Sequence, residues 1–230
     1  MEKAFSGASK LLLISGPSYD NTLRIRQHAS AVEAAKKAGV GHILYTGFAF
    51  AEKSSMSLAH VHLATEHAIR TTGIPFTFLR NALYTHLFVD PGLKAAVERG
   101  ELVTSAGNGK LNTATRNDLA LAAATVLAEE GHENKTYELT SPQSWTFDQL
   151  AQILSEVSGK KVTHRHATES DFKEYLLKSG LPEDTANFLV FGMYRPISRG
   201  KTASTSGDLQ KLIGDSLTSL RESVKEALKS

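Results

Sequence analysis

The chain has 230 residues, 41% of them apolar and 22% charged, which is typical of a globular protein large enough for a domain with an added lobe. A formal net charge of +2 gives no reason to expect a nucleic-acid partner, and no apolar run has the length of a membrane-spanning helix. The sequence contains no cysteine, which excludes disulfides, thiolate zinc sites and a cysteine nucleophile. Together with the lack of an N-terminal apolar signal, this favours a cytoplasmic protein.

The first eighty residues alternate between strand and helix patterns. Short apolar runs predict buried strands at 10–15, 42–46 and 76–80, and helical patterns at 21–38 and about 58–71 lie between them. This alternation is typical of a parallel α/β sheet with right-handed crossovers.

The pattern changes in the rest of the chain. We predict a turn or hairpin at Gly107-Asn108-Gly109, flanked by residues 101–103 and 110–112, and a further strand at 135–139. Thr146 and Gln149 have the spacing of a capping box that opens a helix. The remaining helical patterns cover 170–178, 183–191 and 208–229. We therefore expect an α/β domain at 1–141 and a smaller, mainly helical lobe at 142–230.

Small and hydrogen-bonding residues stand where the predicted strands end. They are Ile14, Ser15 and Gly16 after the first strand, Tyr45, Thr46 and Gly47 after the second, and Asn81 after the third. Ligands of open parallel sheets bind beyond the carboxyl ends of the strands, so these residues are candidates for a binding site. The alternative is ordinary turn chemistry at strand ends.

Two other kinds of site are not favoured. His60, His62 and His67 share one predicted helix, but their spacing and the absence of a nearby cluster do not form an obvious zinc site, so no metal is expected. Ser15 follows a strand, yet it lacks the G-x-S-x-G context of a hydrolase nucleophile.

Several segments, taken in order, resemble the NmrA-like family of atypical short-chain dehydrogenases/reductases, in particular its bacterial NAD(P)H:quinone oxidoreductase branch. These segments are 8–15, 26–28, 34–40, 45–47, 62–66, 73–81, 113–118, 135–139 and 144–146. The resemblance covers nearly the whole chain. It implies a Rossmann-like fold that binds NADPH or NADH, without flavin or metal, and a C-terminal lobe that selects the substrate.

The resemblance also implies roles for the strand-end residues. Ile14, Ser15 and Gly16 would face the adenosine side of the cofactor, and Tyr45, Thr46 and Gly47 would lie along the nicotinamide ribose. Asn81 and Tyr84 would approach the nicotinamide and the substrate. For Tyr45 the alternative is a core aromatic residue.

His62 stands where related proteins carry a lysine, and the Tyr-x-x-x-Lys pair of typical short-chain dehydrogenases is not found on that helix. His62 could orient a ribose or relay a proton, with Glu66 as a hydrogen-bond partner one turn later. The alternative is a solvated helix histidine that pairs with Glu66.

The sequence also departs from the family. Its members begin with a strand, a glycine-rich G-x-x-G-x-x-G turn and a helix, and that motif does not occur in residues 1–230. The expectation is an N-terminally incomplete Rossmann-like domain, lacking about 60 residues, that binds NADPH weakly or not at all. A mis-set gene start, a truncated polypeptide and a partial gene are all left open.

The expected activity is hydride transfer from NADPH to a quinone or similar carbonyl compound. The expected partners are this small-molecule substrate and, in an oligomer, a second copy in a homodimer, with neither nucleic acid nor membrane. The alternative is a non-catalytic regulator of the same family that senses NAD(P).

Overall fold

The computed structural model describes residues 1–16, 18 and 20–229. The strands in chain order are β1 (Lys10–Ile14), β2 (His42–Phe48), β3 (Phe76–Asn81), β4 (Leu83–Tyr84), β5 (Glu101–Thr104), β6 (Thr113–Ala114), β7 (Lys135–Leu139) and β8 (Thr163–His166). The α-helices are α1 (Glu2–Phe5), α2 (Asn21–Lys37), α3 (Ser57–Arg70), α4 (Leu93–Arg99), α5 (Arg116–Ala128), α6 (Phe147–Ser158), α7 (Glu169–Lys178), α8 (Glu183–Asn187), α9 (Arg195–Ser198), α10 (Asp208–Ile213) and α11 (Leu220–Lys229). Short 3₁₀ helices cover Ala51–Lys53, Thr85–Leu87 and Gly214–Ser216, and a π-helical segment covers Phe188–Tyr194.

A four-stranded parallel sheet has the strand order β1-β2-β3-β7. This confirms the predicted α/β class and the four predicted strands that form it. Because the strands are parallel, their carboxyl ends lie along one edge of the sheet.

Burial differs between the middle and the edge of this sheet. Every residue of β2 is buried except Thr46, which is half-buried. Among the described residues β1 pairs with β2 alone, and the side chains of β1 are half-buried, with Ile14 65% exposed. The predicted burial is therefore confirmed for β2, which has a neighbouring strand on each side, and wrong for β1, which lies at the edge of the described sheet.

The helices that follow β1 and β2 pack together and bury one face of the sheet. The core of this layer consists of Val32, Ala35, Val40, Ile43, Tyr45, Ile69 and Phe78. The predicted start of α2 is confirmed: Asp20 caps the helix, and its Oδ1 accepts a hydrogen bond from the Leu23 amide at 3.0 Å.

The described residues form two compact units. The first comprises Met1–Leu83, Arg116–Ser141 and Ser206–Leu217, and the second comprises Tyr84–Thr115, Pro142–Thr205 and Thr218–Ser230. The predicted boundary at 141/142 coincides with one junction between the units, whereas segments 84–115 and 206–217 group differently. A substrate-binding role for the second unit stays a prediction.

The predicted hairpin around Gly107 is wrong, although a turn is present there. β5 pairs in parallel with β8, and Leu111 bridges to Trp145 instead of pairing with β5. The turn signal is local, but the partner of β5 lies about sixty residues further along the chain, where no local pattern identifies it.

The predicted helix at 208–229 is interrupted. Gly214 has φ 59° and ψ −134°, a conformation that essentially only glycine adopts, and it separates α10 from α11. The capping box of Thr146 and Gln149 at the start of α6 is confirmed. Among the described residues, no helix combines the length and apolar character needed to cross a bilayer.

Candidate functional site

The candidate residues from β1, β2 and β3 meet at the carboxyl edge of the sheet. Ile14 lies beside Thr46, and Phe48 lies beside Asn81. The amide of Ser15 donates to Thr46 Oγ1 at 3.2 Å, which joins the first two strand ends directly. The sheet thus brings together the residues that the sequence predicts for a ligand site.

Arg24 in the first turn of α2 extends this edge. Its Nη2 donates to Ser15 Oγ at 2.5 Å, and its Nε is buried without a hydrogen-bond partner among the described residues. Sequence reasoning missed this residue. The available signal was a cation in a first helical turn, where the helix dipole disfavours positive charge.

The contact between Ser15 and Arg24 also bears on the hydrolase alternative. A guanidinium remains protonated and cannot act as the base of a serine nucleophile. The hydroxyl of Ser15 is therefore arranged as a hydrogen-bonding group.

Tyr45 and His62 form a buried pair behind the strand ends. Tyr45 Oη and His62 Nδ1 are 2.7 Å apart, and the two side chains lie in the core at 0% and 4% exposure. The His28 ring meets Tyr45 edge-on with centroids 5.8 Å apart. The predicted pairing of His62 with Glu66 is wrong in both interpretations, because Glu66 binds Arg80 instead, and His62 is buried rather than solvated.

Burial keeps both members of this pair neutral. It raises the pKa of Tyr45 to about 12, against the lowering effect of hydrogen bonds with Thr65 and Ser15. It also lowers the pKa of His62 to about 3, helped by the charges of Arg24 and His28. Tyr45 Oη and His62 Nδ1 can share a hydrogen-bonded proton, but neither group changes its charge near neutral pH.

A second cluster occupies the ends of β2, β3 and β7. Arg80 donates to both oxygens of Glu66 at 2.8 and 2.7 Å, to both oxygens of Glu52 at 2.8 and 2.6 Å, and to Glu138 Oε1 at 3.0 Å. Burial opposes the charge of Arg80, but the carboxylates of Glu66 and Glu52 outweigh it and raise the pKa of Arg80. This residue stays a cation within the sheet edge.

The Arg80 cluster by itself explains why residue 47 is a glycine, with no need for a ligand contact there. A Cβ at Gly47 would lie 3.2 Å from Glu66 Oε1 and 3.4 Å from Arg80 Cγ. By contrast, a Cβ at Gly16 would meet Gln27 Oε1 at an ordinary 3.5 Å. A ligand contact for Gly47 or Gly16 stays a prediction.

The loop after β2 is held in an unusual conformation. Phe50 has φ 51° and ψ 38°, the left-handed region that bulky residues rarely adopt. Its amide donates to Glu138 Oε2 at 2.7 Å, and the Ala49 amide donates to the Asn81 carbonyl at 2.9 Å. Such backbone strain clusters at functional sites, which supports the sheet edge as the place of binding.

The remaining predicted residues divide between the two units. Asn81 is the buried last residue of β3 in the first unit. Tyr84 belongs to the second unit and stacks on His86 with ring centroids 5.6 Å apart. The catalytic roles of Asn81, Tyr84 and His62 stay predictions.

The histidines of α3 do not converge on an ion. His60 and His67 are exposed, whereas His62 is buried against Tyr45. The group of potential metal ligands that the described residues do bring together is Asp148, His164 and His166.

The donor set at the sheet edge fits a nicotinamide nucleotide. The hydroxyls of Ser15 and Thr46 can bind ribose oxygens, and the buried cation of Arg24 has a free N–H for an anionic or hydroxyl-rich ligand. These groups account for one side of such a site.

Comparisons with known proteins agree with this fit. Quinone oxidoreductase 2 of Escherichia coli (strain K12) is 41% identical over 224 residues, covering 97% of this chain and 77% of that protein. Its crystal structure with NADPH has a TM-score of 0.89 and covers 98% of this chain and 78% of that chain. The triphenylmethane reductase of Citrobacter sp., in complex with NADP(H), is 64% identical with a TM-score of 0.95, covering 99% and 79%.

The model of the NmrA-like family matches residues 1–218, and the ordered segments that carried the resemblance lie within that match. Its extent and the 41% identity to a relative confirm the resemblance: the chain belongs to the NmrA-like family.

Proposed function

We propose that this chain is an NADPH-dependent oxidoreductase that passes a hydride to a quinone or a similar flat acceptor. The observation that carries the proposal is the alignment of Ser15, Thr46 and Asn81 along one edge of a parallel sheet, backed by the buried N–H of Arg24. The names of the relatives, a quinone oxidoreductase with NADPH and a triphenylmethane reductase with NADP(H), support the cofactor and the acceptor class.

The residues of the sheet edge act by binding and orientation. The Ser15 hydroxyl is fixed by Arg24, and the Thr46 hydroxyl is fixed by the Ser15 amide, so both can position ribose oxygens without reorganising. In this scheme Asn81, the buried last residue of β3, orients the nicotinamide carboxamide or the carbonyl acceptor. NADPH supplies the hydride when it is bound.

The neutral pair of Tyr45 and His62 is a positioning element in this scheme. Reduction of a quinone by a hydride also consumes one proton. With the pKa of Tyr45 near 12 and that of His62 near 3, this pair is not a net source of that proton near neutral pH. A cationic triphenylmethane dye accepts the hydride without a proton and serves as the matching acceptor in the assay.

The test is the oxidation of NADPH in the presence of several quinones and one triphenylmethane dye, followed by the absorbance of the reduced nicotinamide. Ser15→Ala and Thr46→Val should raise KM for NADPH, and Asn81→Ala should lower kcat. Thr125→Val is the matched control, because Thr125 lies on α5 near the amino edge of the sheet, away from the candidate site. The position of this part of α5 follows from Lys10 at the start of β1, whose Nζ donates a hydrogen bond to the Leu127 carbonyl.

The assay is run on the 230-residue polypeptide and on the protein translated with any in-frame upstream codons. For the 230-residue polypeptide we expect weak NADPH binding, because residues 1–230 carry no glycine-rich phosphate turn. Absence of turnover with every acceptor in both forms would remove the oxidoreductase proposal. Tight dinucleotide binding without any turnover would favour the NAD(P)-sensing regulator.

A further inference from the structure

Three potential metal ligands converge between a strand and a helix of the second unit. His164 and His166 alternate along β8, so they share one face of the strand. Asp148 lies in the first turn of α6, whose start is fixed by the capping box of Thr146. Asp148 Oδ1 is 3.0 Å from His164 Nδ1 and 3.1 Å from His166 Nε2.

The spacing of the donor atoms suits a small transition-metal ion. The three atoms lie within 4.8 Å of one another. Zinc binds nitrogen and oxygen ligands at about 2.0–2.2 Å, which places tetrahedral donors about 3.3–3.6 Å apart. The distances from Asp148 Oδ1 to the two imidazole nitrogens, 3.0 and 3.1 Å, are close to this spacing.

His164 is already oriented for this task. Its Nε2 is 2.7 Å from Thr104 Oγ1, and this buried hydroxyl also accepts a hydrogen bond from the Ala106 amide. Histidine ligands of metals commonly hold their second nitrogen in such a hydrogen bond, which fixes the ring and leaves the other nitrogen to the ion. The His164 side chain is 0% exposed and packs against the buried ring of Phe147, so its orientation is built into the fold.

The other two ligands leave the ion a path from solvent. The side chains of Asp148 and His166 are 50% and 43% exposed. The nearest cation along β8, Arg165, points to the other face of the strand and pairs with Glu101 at 3.1 Å.

We infer that Asp148, His164 and His166 bind one divalent transition-metal ion of the zinc class, which ties β8 to the start of α6. Two imidazoles and one carboxylate select Zn²⁺, Co²⁺, Ni²⁺ or Cu²⁺ over Mg²⁺ and Ca²⁺, which prefer all-oxygen sites. The ion has a structural role and takes no part in hydride transfer.

The test is calorimetric titration of ZnCl₂ into the full chain after treatment with a chelator. We expect one ion per chain and a rise in Tm with zinc, with no response to MgCl₂. His166→Gln and Asp148→Asn, both at exposed positions, should each weaken binding at least tenfold. Thr104→Val should weaken it about 10–100-fold, because the ring of His164 loses its partner.

A double variant of exposed α3 histidines, His60→Gln/His67→Gln, is the matched control and should bind zinc as the wild type does. Cobalt gives a second readout, since a tetrahedral Co²⁺ site produces intense visible absorption that hexahydrated Co²⁺ lacks. Absence of stoichiometric binding, or unchanged affinity in His166→Gln, would overturn the inference. Neither outcome touches the oxidoreductase assay, which uses different residues.

Discussion

Two buried polar clusters at the same sheet edge differ in charge: one is neutral and the other contains a buried cation. Burial prevents His62 from taking up a proton near neutral pH, and it raises the pKa of Tyr45, which is neutral there, further still. Arg80 stays a cation, as arginine does in proteins generally, and Glu66, Glu52 and Glu138 compensate the cost of burying that charge. The difference teaches that the identity of a buried group and its partners, rather than depth alone, decide its charge state here.

The two clusters also contribute differently to the proposed site. The neutral pair lies behind Ser15, with which Tyr45 shares a hydrogen bond, and it adds no charge near a ligand. The charged cluster shapes the neighbouring strand end, since it occupies the space beside Gly47 and its Glu138 anchors the Phe50 amide. Stability measurements can separate these contributions, because removal of a partner should cost far more in the charged cluster.

Arg80→Met should have the largest effect. The substitution leaves Glu66, at 3% exposure, as a buried carboxylate without its cation, and it also removes a partner of Glu138. Breaking a buried ion pair from one side costs about 3–5 kcal/mol of unfolding free energy. Urea unfolding near neutral pH measures this loss.

The double variant Arg80→Met/Glu66→Leu is its control. With both charges gone, most of the lost stability should return, because the residual cost is one of packing. A loss below about 1 kcal/mol for Arg80→Met alone would show that Glu66 does not depend on Arg80.

The neutral pair should reveal itself in the pH dependence of stability. The folded-state pKa of His62, about 3, lies below the ordinary 6.5, so between these values the unfolded chain takes up a proton that the folded chain refuses. The stability due to neutral His62 is present above pH 6.5 and is lost as pH falls. The loss is at most about 1.4 kcal/mol per pH unit, or about 2 kcal/mol down to roughly pH 5.

His62→Gln isolates this contribution, since glutamine can bind Tyr45 but does not titrate. Its unfolding free energy should fall less steeply with acid than that of the wild type. His60→Gln, at an exposed position of the same helix, should keep the wild-type slope. Parallel pH profiles for the wild type and His62→Gln would contradict the neutral state of His62.

The sequence predicts this sheet edge well and its chemistry poorly. Apolar runs and punctuating glycines located β1, β2 and β3, and parallel strands bring their ends together without further information. The hydrogen-bond partners of these side chains could not be predicted in this way. Arg80 binds carboxylates that lie 14, 28 and 58 residues away in sequence, and no local pattern encodes such separations. Asp148 likewise meets His164 and His166 from 16 and 18 residues away. For this reason the metal hypothesis from the sequence concerns only the closely spaced histidines of α3.

The smallest expected effect lies at the solvent side of the charged cluster. The Glu52 side chain is 57% exposed, so its two hydrogen bonds to Arg80 compete with water and are screened by salt. Glu52→Gln should therefore lower the unfolding free energy by less than about 1 kcal/mol, and high salt should shrink the difference further. If urea unfolding showed a loss as large as that of Arg80→Met, the burial of Arg80 would be compensated mainly by its exposed partner rather than by the buried Glu66. The contrast between buried and exposed carboxylates within one cluster would then fail.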